Sequence, residues 1–252
     1  MNTEKLEKTQ TKLEWITRKW WFYLLVVLLQ FVPPYAANGI SPADIGWVTG
    51  EVLSRGIVYN LTVLYPIFKV IPIVLIILII FLKNRVTIFF SIYAGISYVL
   101  FAFLQNIAVT EKYGLAIITL NLIMFLLVAA SWFWESAVRK NVFIAEKQPL
   151  WKYWVVPLVF IAFWYPANPN TLLPDFNPIY FFTNMAGLAF CLMTPVYLAV
   201  LTLYHPKVNI VTLRVTSLVG IIIALYNMWV NFLIAPAQLW WNGVLHIPLL
   251  SI

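Results

Sequence analysis

Charge and cysteine are the scarce materials of this sequence. Only 10% of its 252 residues are charged, against roughly 25% in a typical soluble domain. A soluble fold of this size could not hide so much apolar surface, which excludes an ordinary water-soluble enzyme or nucleic-acid-binding domain. The single cysteine, Cys191, lies in an apolar run, so there is no internal disulfide and no cysteine metal cluster. Its plain role is that of a small apolar packing residue. The two histidines, His205 and His246, fall on opposite sides of the expected topology, which argues against shared ligation of a haem or metal. His-Glu-x-x-His, a phosphate-cradling glycine loop and Gly-x-Ser-x-Gly are all missing. A self-contained enzyme therefore has little support, and the sequence names no cofactor.

What is present is apolar. Residues of that kind make up 63% of the chain, and the mean hydropathy is +0.89. Lipid must be the solvent for much of such a chain. The expected fold is an all-α polytopic membrane protein of about seven transmembrane helices. A polar arm, residues 1–19, precedes one transmembrane domain, residues 20–252. The first span runs from about Trp20 to Val32 and is closed by Pro33-Pro34. Ala36-Ala37 follows, but Tyr35 occupies the position where a signal-peptidase site needs a small residue, so this segment reads as a retained helix. The second span ends near Leu82, with a start between Ile57 and Pro66. The others cover about Val86–Gln105, Leu115–Trp134, Tyr153–Tyr165, Ile179–Tyr204 and Ile210–Ile234. The tail, 235–252, is broken by Pro236 and Pro248 and carries Trp240 and Trp241, which suits an interfacial segment.

The net charge of +7 reads as orientation rather than as nucleic-acid binding. Lys5, Lys8, Lys12, Arg18, Lys19, Lys83, Arg85, Arg139, Lys140, Lys147, Lys152, Lys207 and Arg214 all fall on one side of the seven-span scheme. These are thirteen of the sixteen basic residues; Arg55 and Lys112 fall on the opposite side, with Asp44, Glu51, Glu111 and Asp175, and Lys69 falls within or near the second span. Cytoplasmic loops collect Lys and Arg, so the N-terminus is expected inside and the C-terminus outside. Asn60-Leu61-Thr62 also fits a glycosylation sequon, a short motif.

Spacing suggests an internal repeat. Lys19, Trp21 and Pro33 match Lys152, Trp154 and Pro166, and Gly95 and Asn106 match Gly220 and Asn231, each set at equal intervals. Pro72 can be set against Pro195. The plan is three-plus-one-plus-three with parallel repeats: repeat 1 over about 20–106, a connector helix over about 115–134, and repeat 2 over about 153–234. Parallel repeats about an axis along the membrane normal occur in some transporters.

The candidate ligand-binding residues are Lys69, Asn121, Asn184, Asn227 and Asn231. A lone lysine deep in a bilayer costs about 3 kcal/mol or more, and no acid lies in a helix centre to pair with it, so a deep Lys69 could bind an anionic ligand. If its helix starts near Tyr65 it instead snorkels to the outer interface, the plainer reading. Asn227 and Asn231, four apart, share a helix face. Buried amides of this kind either line a polar pocket or join helices by hydrogen bonds. Glu135 is expected as a solvated end residue at the inner interface, and Asp44 and Asp175 as turn residues.

Two functions from different classes follow. The first is a membrane transporter or binding protein for a small solute. The alternative is a non-catalytic membrane subunit or anchor of a larger complex, with membrane-complex partners. A receptor-like sensor is weaker, because no signalling domain is attached. The lipid bilayer is the one partner common to all three.

Overall fold

The computed structural model describes residues 3–144 and 148–252; Lys147 of the basic loop lies outside the described residues. The protein is mostly helical. α1 (Thr3–Thr17) is the N-terminal arm, and α2 (Trp20–Leu28) continues through a 3₁₀ turn, Leu29–Phe31. α3 (Ile45–Arg55) precedes α4 (Tyr65–Leu82), which takes Pro66 in its first turn, where a missing N–H costs nothing. Then come α5 (Thr87–Asn106), α6 (Thr119–Val138), α7 (Val155–Trp164), α8 (Tyr180–Thr183) and α9 (Phe190–Tyr204). α10 (Ile210–Trp229) runs on into a π-helical turn, Val230–Ile234, and α11 (Pro236–Ser251) ends the chain.

Three helical runs are long and apolar enough to cross a membrane: 62–106, 119–138 and 210–234. Tyr180–Leu188 and Phe190–Tyr204, bent by 89° to one another, make a fourth if they count as one span. The first run folds back on itself. Lys83 takes φ 54° and ψ −128°, which reverses the chain. As a result Tyr65 and Phe68 at the start of α4 pack with Leu100 and Leu104 at the end of α5. The outward stripe of α4, Ile67, Val70, Val74, Ile77 and Phe81, is apolar and exposed, while Tyr65, Lys69, Pro72, Leu75 and Ile79 face inward. A water-facing helix would place polar residues on that stripe.

The bundle has two distinct ends. At one, the Asn84 side chain accepts from the Phe143 N–H at 2.6 Å, the Val142 N–H donates to the Lys207 carbonyl at 2.8 Å, and Lys152 reaches the His205 carbonyl at 2.8 Å. The basic segments are gathered there. At the other end a three-stranded antiparallel sheet, ordered β1 (Tyr35–Ala36), β3 (Gly114–Ile117), β2 (Ile107–Thr110), departs from the all-α expectation. Its cause is local. Ala108, Thr110 and Ala116 alternate inward, Gly114 supplies φ 65° at the hairpin, and α3 packs Val48 and Val52 onto Ala108, Tyr113 and Ala116. The two short apolar helices both run from the basic end to this one. α2 begins beside Lys19 and leads to Tyr35 in the sheet, and α7 begins beside Lys152 and leads to Tyr165, which bonds Asn242.

The core between the ends is aromatic. Phe125 and Phe190 stack at 3.9 Å between centroids, and Phe90 meets Trp132, Phe143 and Tyr197 edge-on at 5.7–5.9 Å. Segments matched in the repeat do not share packing: α7 lies along α9, whereas α2 lies against α1 and α10. The tail expected at the interface forms α11, which turns back beside α10. Leu245 and Leu249 are buried, and Leu249 reaches the level of Gly220 in mid-α10. Its apolar face has a protein groove to enter, which sequence alone does not reveal.

Candidate binding site at the end of α7

α7 stops at Trp164 because Tyr165 adopts the left-handed conformation (φ 52°) and Pro166 follows. A helix end leaves carbonyls without partners, and in an apolar surround they need donors. Two of the sequence candidates supply them. The Lys69 ammonium donates to the Phe163 carbonyl. Asn184 Nδ2 donates to the carbonyls of Trp164 (2.7 Å) and Tyr165 (3.2 Å). Lys69 is 0% exposed. Its Nζ lies 4.4 Å from the Phe163 ring centroid and 5.9 Å from that of Phe181. The helix does begin at Tyr65, as the snorkelling reading required, yet the side chain does not snorkel. The negative end of the α7 dipole draws it inward.

The chain crossing above Lys69 is equally constrained. Asn184 Oδ1 accepts from the Ala186 N–H at 3.1 Å and so caps the short 3₁₀ helix Met185–Leu188. Gly187 passes so close to α4 that a Cβ there would lie 2.4 Å from the Phe68 carbonyl oxygen. Gln105 Oε1 then accepts from the Phe190 N–H at 2.8 Å, where α9 starts afresh. The break between α8 and α9 is thus held by side chains from α5 and from its own capping asparagine.

A polar relay leaves this site toward α10 and α11. Tyr165 Oη donates to Asn242 Oδ1 at 2.7 Å, Asn242 Nδ2 donates to Asn231 Oδ1 at 2.8 Å, and Asn231 Nδ2 donates to the Asn227 carbonyl at 2.7 Å. Asn227 Nδ2 donates to the Ile223 carbonyl at 2.9 Å and points at Cys191 Sγ at 3.4 Å. His246 Nδ1 lies 2.6 Å from the Asn242 carbonyl oxygen. Four of the five candidates, Lys69, Asn184, Asn227 and Asn231, therefore belong to one connected region. Asn121, half-buried in the first turn of α6, stands apart from these bonds. Sequence reasoning missed Tyr165, Asn242 and His246 as members. The four-residue spacing of Asn242 and His246 inside an apolar tail was the available signal.

A second polar cluster closes the basic end. Glu135 is 0% exposed, not solvated as expected. Past the left-handed turn at Arg139 the chain doubles back, and the Asn141 N–H donates to Glu135 Oε1 at 2.7 Å while Asn209 Nδ2 donates to Oε2 at 2.7 Å. Gln10 of α1 joins this cluster, donating to Asn209 Oδ1 at 3.0 Å and accepting from Trp134 Nε1 at 2.6 Å.

At the sheet end, Asp44 accepts from Ser41 Oγ at 2.7 Å and pairs with Lys112 at 3.1 Å. The Ser41 hydroxyl first, and the Lys112 ammonium second, hold its carboxyl below the usual carboxylate range. Asp175 fills a turn role, accepting from the Asn177 N–H at 3.2 Å and from Tyr180 Oη at 2.6 Å. Among the described residues no three His, Cys, Asp or Glu side chains converge as a metal site. No protein-family model, curated protein or solved structure matches this chain.

Proposed function

We propose that this chain crosses the membrane seven times, with its basic end in the cytoplasm, and that it binds and moves a small polar or anionic solute at the end of α7. The spans are α2 with its 3₁₀ turn, α4, α5, α6, α7, the bent pair α8–α9, and α10. The charge asymmetry supports the orientation, and α11 returns into the bundle from the outer side. The matched spacings of Trp, Pro, Gly and Asn support duplication of a three-helix unit, despite the different packing of α2 and α7.

One observation carries the solute reading: interrupted backbone meets a buried cation. α7 ends, α9 restarts after an 89° bend and α10 passes through a π-turn, all around Lys69, Asn184 and the asparagine relay. Irregular backbone at membrane depth is tolerated where it is enclosed by protein or lines a path, and interrupted helices form the sites of many secondary transporters. π-turns recur at functional sites. The solute would present a carbonyl or carboxylate oxygen that competes with the Phe163 carbonyl for the Lys69 ammonium. The amides of Asn184, Asn227 and Asn231 would supply neutral donors and acceptors.

The alternative, a non-catalytic subunit or anchor, is favoured by a different fact: Lys69, Asn184 and Asn231 already have partners within the chain. Native mass spectrometry of the protein extracted in mild detergent from its own membrane separates the two. The solute reading predicts a small-molecule adduct that is lost from a folded Lys69→Met variant. A stoichiometric protein partner with no such adduct would overturn it in favour of the subunit.

A further inference from the structure

α1 has two faces of different chemistry. The inner face is fixed to the bundle. Gln10 is 3% exposed and Thr17 2%, and the Arg214 guanidinium donates to the Glu14 carbonyl at 3.2 Å. The opposite face carries Lys8, Thr11, Lys12 and Trp15 at helical spacing, all exposed, around one shallow recess. Lys5 extends it by one turn, and Lys19 closes it, its ammonium 4.7 Å from the Trp15 ring centroid. Glu4 and Glu7 flank Lys5 and Lys8 in the first turns of α1, so the basic face is least diluted from Lys8 to Lys19. From residue 8 onward its one acid is Glu14, whose carboxylate accepts from Gln10 at 2.9 Å.

This basic face adjoins an apolar one. α2 begins at Trp20, which is 74% exposed, and turns Leu24, Leu25 and Leu28 outward. Leu150 and Trp151, at the start of the α7 segment on the same end, are also exposed. Exposed Trp between an apolar belt and a row of lysines marks the depth of lipid head groups.

We propose that the outer face of α1 is a docking surface for anionic phospholipid head groups, with Lys8 and Lys12 taking the phosphate and Trp15 seated beside it at the interface. Charge complementarity selects the occupant, and continuity with the lipid-facing surface of α2 supplies the place. A lysine beside a membrane strengthens attraction to an anionic surface by about five-fold, and because the helix is already docked, little ordering opposes the gain. The proposal rests on the chain being membrane-embedded and not on solute binding.

The full chain is first reconstituted into vesicles and floated. It is then presented with equal amounts of phosphatidylcholine and phosphatidylglycerol and its retained lipids are weighed by native mass spectrometry. The expected result is preferential retention of phosphatidylglycerol, reduced at least five-fold by the double substitution K8Q/K12Q. K83Q, at the same end but in the α4–α5 turn, should change the preference less than two-fold. Millimolar inorganic phosphate should leave it unchanged. Equal retention of both lipids, an unaltered preference in K8Q/K12Q, an equal loss in K83Q, or displacement by phosphate would each overturn the head-group site. A chain that does not float with the vesicles would overturn the embedded reading instead.

Discussion

Glu135 offers the sharpest test of the packing at the basic end. Its carboxylate is fully buried and accepts two bonds of 2.7 Å, from the Asn141 N–H and from Asn209 Nδ2. Glu135→Ala leaves the Asn141 N–H buried without an acceptor and Asn209 Nδ2 with only a long contact of 3.5 Å to Gln10 Oε1. Each such loss costs about 1–3 kcal/mol. Removing a desolvated charge returns part of that, so a net loss of about 2–4 kcal/mol is expected. Glu135→Gln keeps an oxygen for Asn141 but sets an amide NH2 against that of Asn209. Asn209 cannot simply flip, because its Oδ1 already accepts from the Val211 N–H and from Gln10. The Gln variant should therefore lose about 1–2 kcal/mol. For a domain of this size 1 kcal/mol moves the midpoint by about 2–4 °C. Thermal unfolding of the solubilised chain, followed by tryptophan fluorescence, should show E135A lowered by about 5–15 °C and E135Q by about half as much. Glu7→Ala, on the exposed face of α1, serves as the control. An E135A midpoint within a degree or two of E7A, or above it, would refute the claim that this carboxylate organises the cluster.

Three further outcomes follow from the same structure. Asn184→Ala frees the Trp164 carbonyl and the Ala186 N–H together, while the Tyr165 carbonyl keeps the Ala167 N–H at 2.9 Å; a loss of about 2–4 kcal/mol is expected by the same unfolding assay, and a neutral result would contradict this capping of the α7 end. Gly187→Ala should destabilise more than Gly95→Ala, because the added methyl meets the Phe68 backbone carbonyl at 2.4 Å in the first case and the movable Phe133 ring at 2.7 Å in the second. Equal midpoints would show that the α4 crossing is looser than described. For Asp44, whose folded carboxyl titrates below its unfolded value, the contribution is full above the ordinary carboxylate range and fades as pH falls through the lower folded value. Hydrogen exchange at residues 41–44 and 112–113 should accelerate on acidification in the wild type and be nearly pH-independent, after correction for intrinsic rates, in Asp44→Asn.

Much of the helical layout was legible because it depends on local composition. Each of the seven apolar runs contains a helix, and the stops at Pro33 and Pro166 lie where a proline forces them. Lys69 and Asn184 were also findable, since a lysine and an amide in apolar runs must find partners somewhere. Their partners were not findable: the α7 carbonyls and the close passage of Gly187 are tertiary facts. Glu135 misled for the same reason. A carboxylate at a helix end reads as solvated until the chain beyond Arg139 folds back and α1 covers it. The sheet was hidden because Ile107–Thr110 directly prolongs an apolar helix, so its alternation is short and unmarked.

A chain that crosses a bilayer with its basic end inside must expose its two ends to opposite compartments, and accessibility of single cysteines tests that most directly. In a Cys191→Ser background, cysteines are placed at Glu7 and Lys140 on the basic end and at Val109 and Asn170 on the sheet end, all exposed positions. A membrane-impermeant maleimide should label V109C and N170C in intact cells, and E7C and K140C only after permeabilisation. Labelling of E7C or K140C in intact cells, or of both ends from the same side, would contradict it.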